Sequence, residues 1–428
     1  MIEFAKEFSL DIIIMNSVRY SETVRKVKAL FANCPVPQII CTICEQEGLD
    51  NIDAIIQYDA RELPGQQLPA AHAHSPLDHV LNLGIQLPPG CQRLTGIIAT
   101  IGKSSNDIET MQKMMAAGMN VALLNLSFGT QKEHVETIKM LRKAAKEYSV
   151  TVGKHFPLAI AARLPGRKIR TGCISDVANG IMITRQELGS DISPTKLVIA
   201  QKDMIARANE ANVPVCLCAH LLSSMRHSKI PLRSELLDIA DCIFDGADAL
   251  VLSAETAIGI SPVQTIKCMA SASKEAEDSV WTMRMFHDYV EKTPVPCDQA
   301  TAIAVSAVLA AYQSIAAAII VVTATGKAAF LVAKYRPRCP IIAVTRYVIV
   351  ARQMHLYRGI MPLIYEATPE ADWETDLEQR INFCTKWAMQ RGFVRVGDPL
   401  ILVCSWKQGS EFTNTMRMVY ATADIGVS

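Results

Sequence analysis

The sequence has almost no surplus of charge of either sign. Its 43 Lys and Arg stand against 42 Asp and Glu, a net +1 over 428 residues. Such a chain offers no basic footprint for nucleic acid. Its opening, MIEFAKEFSLD, carries acid where a secretory signal needs basic charge. With thirteen cysteines, this predicts a reducing compartment, the cytoplasm. Also missing is a second Cys/His pair to match Cys41 and Cys44 in CTIC, because Cys216 and Cys218 are separated by a single residue. Half a zinc site therefore finds no other half. A redox pair usually opens a helix, whose dipole lowers the thiol pKa. Here the cysteines close the apolar run Ile39 to Ile43, which reads as a strand. Nor does any uncharged stretch keep one character across a membrane's width. Residues 300–326 come nearest, but an alanine-rich, helix-like part gives way to the β-branched AAIIVVT. That pattern predicts a buried helix followed by a buried strand, with no membrane partner.

What is present is ample apolar material: 50% of residues are hydrophobic and 20% charged. The length predicts about two or three domains. Short apolar runs alternate with amphipathic helices. The runs are DIIIM (11–15), QIICTI (38–43), GIIATI (96–101), NVALLNL (120–126), PLAIAA (157–162), GIMIT (180–184), PVCLCA (214–219) and ALVLSAE (249–255). Alternation of this kind predicts parallel strands with crossover helices. Eight such strands fit a closed β/α barrel, whose active site gathers at the strand C-termini. EKTPVPCD is a proline-containing linker. Beyond it AAIIVVT, PIIAVT, IMPLIY and LILVCSW, again separated by helices, predict an open α/β domain of ordinary size, roughly 135 residues.

The stretch TGIIATIGKSSNDIETMQKMMAAGMNVALLNLSFGT resembles pyruvate kinase. The resemblance continues through KIRTG, NGIMITRQELG, LLDIADCIFDGADALVLSAETAIG and VAKYRPRCPIIAVTR, and ends at GSEFTNTMRMV. It implies a TIM-type (β/α)8 barrel over 66–285 followed by the family's open α/β C-terminal domain over 293–428. Two departures stand out. The family's small β lid domain follows the IRTG segment, whereas here IRTGCISDVANGIMIT runs almost directly into strand six. Strands four and five belong in the same gap. Residues 1–60 look like that displaced segment, which implies a circularly reordered barrel, with a misjoined gene or a fragment of a tandem gene as the alternatives.

The resemblance also implies the chemistry: phosphoryl transfer from phosphoenolpyruvate to ADP, with Mg²⁺ and K⁺. Charge spreading over the transferring oxygens calls for cations at fixed geometry. Most of the family's positions for them are altered. Thr42 stands in place of the catalytic lysine and Cys44 in place of a metal-binding glutamate, so the CTIC motif is partly a product of that loss. Leu123 replaces the phosphate-facing arginine. Asn125 and Ser127, potassium ligands, survive, while Arg163 replaces the acidic one and Leu164 a threonine. A guanidinium at Arg163 would repel a cation or fill its place as a tethered charge. Glu187 keeps a carboxylate where the family has aspartate, Gln186 replaces a glycine, and Ala219 replaces the proton-relay threonine. Arg185 and Arg170 remain. One lost electrostatic donor commonly costs about 10²–10³ in turnover, and a missing lid removes water exclusion. The expectation is a catalytically impaired paralogue that binds ligands or partners. The alternatives are an active pyruvate kinase with a compensated site, and a dithiol protein using Cys41 and Cys44.

The C-terminal domain is less altered. AAIIVVTATGKAAFLVAKY reads as strand, loop, helix, with Thr323, Thr325, Gly326 and Lys327 at a helix start that favours phosphate. By resemblance this loop holds one phosphate of a sugar bisphosphate effector, fructose 1,6-bisphosphate. Trp373 and Arg380 would meet the other phosphate, and the loop with Gly409 would close over the sugar. Ala324 and Ala328 replace a lysine and a serine. The family's tetramer implies a homo- or hetero-oligomer. Three further features read as structural. His72, His74 and His79 lack ligand spacing and suit a solvated turn and helix surface. Glu255 suits a rim cap, and the CLC thiols suit a core strand.

Overall fold

The computed structural model describes residues 67–164, 179–370, 372–405 and 413–422, together with the strands Ile12–Met15 (β1) and Gln38–Cys41 (β2). The chain divides into two compact units, Met1–Glu62 and Leu63–Ser428. In the first, β1 and β2 pair in parallel, from Ile12 opposite Gln38 to Met15 opposite Cys41. Both runs are β-branched and apolar, as strands buried in parallel sheets tend to be.

The second unit opens with two short helices, Leu68–Ala71 and Pro76–Leu81. Six parallel strands follow: β3 (Gly96–Thr100), β4 (Val121–Asn125), β5 (Ala159–Arg163), β6 (Ile181–Thr184), β7 (Val215–Cys218) and β8 (Ala249–Leu252). They form one sheet in the order β5-β4-β3-β8-β7-β6, with every pairing parallel. Successive side chains alternate between its faces. Ile97, Ala99, Ala122, Leu124, Leu217, Leu250 and Leu252 pack outward against the helices. Ile98, Val121, Leu123, Cys216, Cys218, Ala249 and Val251 pack together on the inner face. Burial pushes the Cys216 thiol up to about 12, in keeping with inert core sulfur.

The helices end as their sequences dictate. Thr130 and Glu133 form a capping box before the helix Gln131–Val152, which stops at Gly153 in the left-handed region, φ 72°. The apolar stretch at 300–326 is the helix Gln299–Ser314 and then β9 (Ala318–Val322), as its change of character predicts. Among the described residues, no helix is long and apolar enough to cross a membrane.

The last domain is a second sheet, ordered β11-β10-β9-β12-β13, with β10 (Ile341–Thr345), β11 (Ile360–Ile364), β12 (Pro399–Cys404) and β13 (Thr415–Tyr420). The first four strands are parallel, and β13 is an antiparallel edge. Both faces are covered: Ile319, Val321, Ala343 and Val403 pack on one side, and Ile320, Val344, Leu402 and Trp387 on the other. The fold is thus the α/β architecture expected, barrel-type sheet first and open sheet second.

A buried polar knot joins these two sheets. Arg336 donates to Asp248 Oδ1 at 2.6 Å and to Asn209 Oδ1 at 2.6 Å, and the Arg358 amide meets the same Asp248 oxygen at 3.0 Å. A clasp lies nearby at the end of the helix Pro262–Asp278. Glu277 accepts the amides of Leu94 and Thr95, each at 2.7 Å, and Asp278 accepts that of Gly90 at 2.6 Å. His79 is not on the surface as expected. It is buried, its ring nitrogens lie 2.7 Å from Ala70 O and 3.1 Å from Ser279 O, and it stacks on Trp281. Two of its partners, Ser279 and Trp281, lie far away in sequence, so no local pattern announces them.

Candidate functional site

The C-terminal ends of β3–β8 converge, and most of the expected catalytic and cation positions lie there. Thr42, Cys44 and Arg170 fall outside the described residues. Leu123, the middle residue of β4, is 6% exposed and points into the inner cluster. An isobutyl group there supplies no charge to a phosphate. Asn125 ends β4 in register with Arg163, the last residue of β5. The Asn125 side chain accepts the Ser127 amide at 3.1 Å, so one of its acceptor positions is spent on its own turn. Ser127 and Leu164 are exposed, Leu164 by 75%.

Arg163 decides the electrostatics of this rim. Its Nη2 donates to Glu187 Oε1 at 2.8 Å, with both side chains 42% exposed. The carboxylate expected at a divalent metal thus already holds a cation, and that cation belongs to the chain. Mg²⁺ prefers octahedral oxygen coordination, commonly from one or two carboxylates plus substrate phosphates. No cluster of three or more His, Cys, Asp or Glu side chains suited to a metal occurs among the described residues. Among the described residues, this rim thus offers Mg²⁺ a single carboxylate that is already paired, and it sets a guanidinium beside the Asn125 position expected to serve K⁺.

Arg185, the first residue of the helix Arg185–Asp191, is also committed. It makes a two-pronged pair with Asp238, each prong 2.6 Å, and donates from Nε and Nη2 to the Ala219 carbonyl at 3.2 and 3.0 Å. Burial opposes its charge, but the Asp238 carboxylate, together with Cys242 and Asp241 nearby, more than offsets this and raises its pKa. Ala219 follows β7 with φ 79°, a left-handed conformation uncommon for a residue with a Cβ. Its methyl carries no proton to relay. Glu255 is buried and accepts the Ser253 amide at 2.7 Å, the rim-cap role expected of it.

At the second sheet the expected effector residues fall into two groups at the carboxyl ends of the strands. Thr323 follows β9, and its hydroxyl accepts the Gly326 amide at 3.0 Å, closing the turn through Thr325. Gly326 has φ 85°, and a Cβ there would lie 2.7 Å from the Phe330 ring. Glycine is therefore required on both counts. Lys327, exposed, starts the helix Lys327–Lys334. In the other group, Arg380 lies over the Trp373 ring, 5.5 Å from its centroid, while the Trp373 indole donates to Ser405 O at 3.2 Å. Gly409 lies outside the described residues. The sequence reading missed two members of this group, Arg346 and Asp376. Arg346 follows β10 and donates to Asp376 Oδ1 at 2.6 Å. Arg380 meets the other oxygen of the same carboxylate. Burial opposes the charge on Asp376, yet the guanidiniums hold it below the usual carboxylate range. The four-residue spacing of Asp376 and Arg380 on one helix was the available signal.

Comparison with known proteins shows the family. The chain matches the pyruvate kinase barrel domain over residues 92–179 and 173–266, and the pyruvate kinase alpha/beta domain over 301–419. A human pyruvate kinase is 30% identical over 513 aligned positions, covering 83% of this chain and 89% of that protein. The chain belongs to the pyruvate kinase family. A rat pyruvate kinase is 29% identical over the same span, and pyruvate kinase 1 of Saccharomyces cerevisiae is 38% identical over 245 residues, 57% of this chain and 49% of its own. The human alignment is longer than this chain, so that relative carries positions with no counterpart here. The two barrel-domain matches meet at 173–179.

Proposed function

We propose that this pyruvate kinase family protein is catalytically disabled and has kept a binding role, with its C-terminal domain as an anion receptor. The observation that carries this reading is the 2.8 Å pair between Arg163 and Glu187. Transfer from phosphoenolpyruvate to ADP needs mobile cations to bridge and neutralise the phosphoryl oxygens. A guanidinium tethered at Glu187 neutralises the site's carboxylate and offers no open coordination position. Leu123 and Ala219 add an uncharged wall and a missing hydroxyl. Such losses are not additive, but no described side chain at this rim replaces them.

The retained role rests on the crevice of the second sheet. Ligands of open α/β sheets bind beyond the carboxyl ends of the strands, where the strand order reverses. Here that point lies between β9 and β12. The Thr323–Gly326 turn and the Trp373–Arg380 pair both lie at that end, which suits a sugar bisphosphate or a similar dianion. On this reading the chain works in the cytoplasm as a homo-oligomer, or as a hetero-oligomer with an active relative.

The decisive assay is pyruvate formation from phosphoenolpyruvate and ADP in Mg²⁺ and K⁺. We expect none above background. Robust turnover abolished by Glu187→Ala establishes instead an active enzyme with a compensated site. For assembly, light scattering at micromolar concentration is expected to report more than a monomer. A monomer with no co-purifying relative contradicts that.

A further inference from the structure

The two guanidiniums at the crevice share one carboxylate. Arg346 and Arg380 both meet Asp376, whose side chain is 3% exposed, so the cluster carries more positive than negative charge. Its flat cations are backed by aromatic rings. Arg346 lies 5.3 Å from the Tyr365 centroid and Arg380 5.5 Å from that of Trp373, contacts that hold each guanidinium without neutralising it. Arg380 Nε is buried and finds no partner among the described residues. Glu370, the nearby acid, gives its carboxylate to Gln379, and its amide points at Asp376 Oδ1. A partly desolvated cluster with excess cation and an unused donor is arranged to receive another anion.

We infer that Asp376 is a built-in counter-anion, competing with a phosphate dianion for Arg346 and Arg380 and thereby setting the affinity of the crevice. This rests on reading the C-terminal domain as an anion receptor. With the crevice empty, the carboxylate keeps two like charges together and holds both rings' cations in place. An arriving phosphate monoester brings oxygens that match the guanidinium forks, and it meets the Asp376 charge at close range. Asp376 therefore supports the empty state and weakens the loaded one. Asparagine keeps the shape and one acceptor while removing the opposing charge.

The test is titration calorimetry with inorganic phosphate and with fructose 1,6-bisphosphate at constant ionic strength, alongside thermal unfolding. Asp376→Asn is expected to bind phosphate about tenfold more tightly than wild type, the scale of one charge-assisted contact. It is also expected to unfold at lower temperature without phosphate and to recover with phosphate, but not with sodium chloride of equal ionic strength. Bisphosphate heat in wild type that Arg380→Ala loses sustains the receptor reading whatever Asp376→Asn does. Unchanged or weaker binding by Asp376→Asn then overturns the counter-anion role alone. Silence in wild type with binding in Asp376→Asn sustains the counter-anion and overturns the receptor reading for the native chain. Silence in every variant overturns both. If Asp376→Asn does not fold, Arg346→Ala leaves the carboxylate wholly to Arg380 and is expected to lose roughly tenfold in phosphate affinity. No loss there overturns the inference.

Discussion

Arg163 shows how far single residues could be understood before the fold was known. Its replacement of an acidic cation ligand was legible in AARLPGRKIRTG, and so was the choice between repelling a cation and standing in for one. The partner was not legible, because Glu187 lies on another element and only the fold brings it to 2.8 Å. Leu123 and Ala219 were legible as losses, since an absent charge or hydroxyl needs no partner to be absent. Arg185 was legible as a surviving family position, but its partners, Asp238 and the Ala219 carbonyl, came only with the fold. The pair at Arg163 leads to a prediction about metals. Calorimetry with Mg²⁺ should give no tight binding in wild type, because a divalent ion must displace a tethered one. Arg163→Ala should bind Mg²⁺ measurably but still weakly, as a single carboxylate makes a poor octahedral site. Tight uptake by the wild type contradicts this.

The strands were the most legible elements. β3, β4, β7 and β8 lie within the apolar runs that forecast them, since continuous apolar segments punctuated by helices leave few other folds. β13 was missed: TMRMVY alternates on an exposed edge and lacks an apolar core pattern. The clasp on the helix Pro262–Asp278 was also invisible, because its adjacent carboxylates grip backbone amides that no side-chain pattern marks. It makes a pH prediction. Burial, opposed by the Gly90 amide and reinforced by Glu277, moves the Asp278 pKa from 3.8 up to about 6. Between those values the folded chain keeps a proton that the unfolded chain has released. The group's contribution is therefore full below about pH 4 and lost as the pH rises through about 6. Arg338, Glu275 and Glu277 share the field at Asp278. Its partial exposure reduces the effect to on the order of 1 kcal/mol. Urea midpoints of wild type and Asp278→Asn between pH 4 and 7 should converge towards the acid end. A constant difference would refute the assignment.

At the scale of the whole chain, the sequence led to an eight-stranded barrel followed by an open sheet; the described residues give six of those strands as one curled parallel sheet with β5 and β6 at its edges, β1 and β2 paired only with each other in the first unit, and the open sheet as expected. The sequence said nothing of the charged knot between the six-stranded and the open sheet, because Asp248 in FDGAD and Arg336 in KYRPR are unremarkable residues in turns. Asp248 is fully engaged: Arg336 and the Arg358 amide meet one oxygen, and the Val215 amide meets the other at 3.0 Å. Removing one member of a buried pair strands its partner, at a cost of about 3–5 kcal/mol. Asp248→Ala should lose that much in chemical denaturation. It should also split one unfolding transition into two in calorimetry, because the barrel and C-terminal domain then part company. A single transition at the wild-type temperature would show that apolar packing alone unites them.

That knot changes what the linker means. Val295 in EKTPVPCD is 94% exposed, an inviting place for a protease. Yet the two parts it connects are locked elsewhere, by a guanidinium that neither can present to water without leaving a buried acid behind. A cut there severs the chain but not the molecule. The two fragments should travel together through a sizing column and separate only in denaturant, so that in a cell a nicked copy would pass for an intact one.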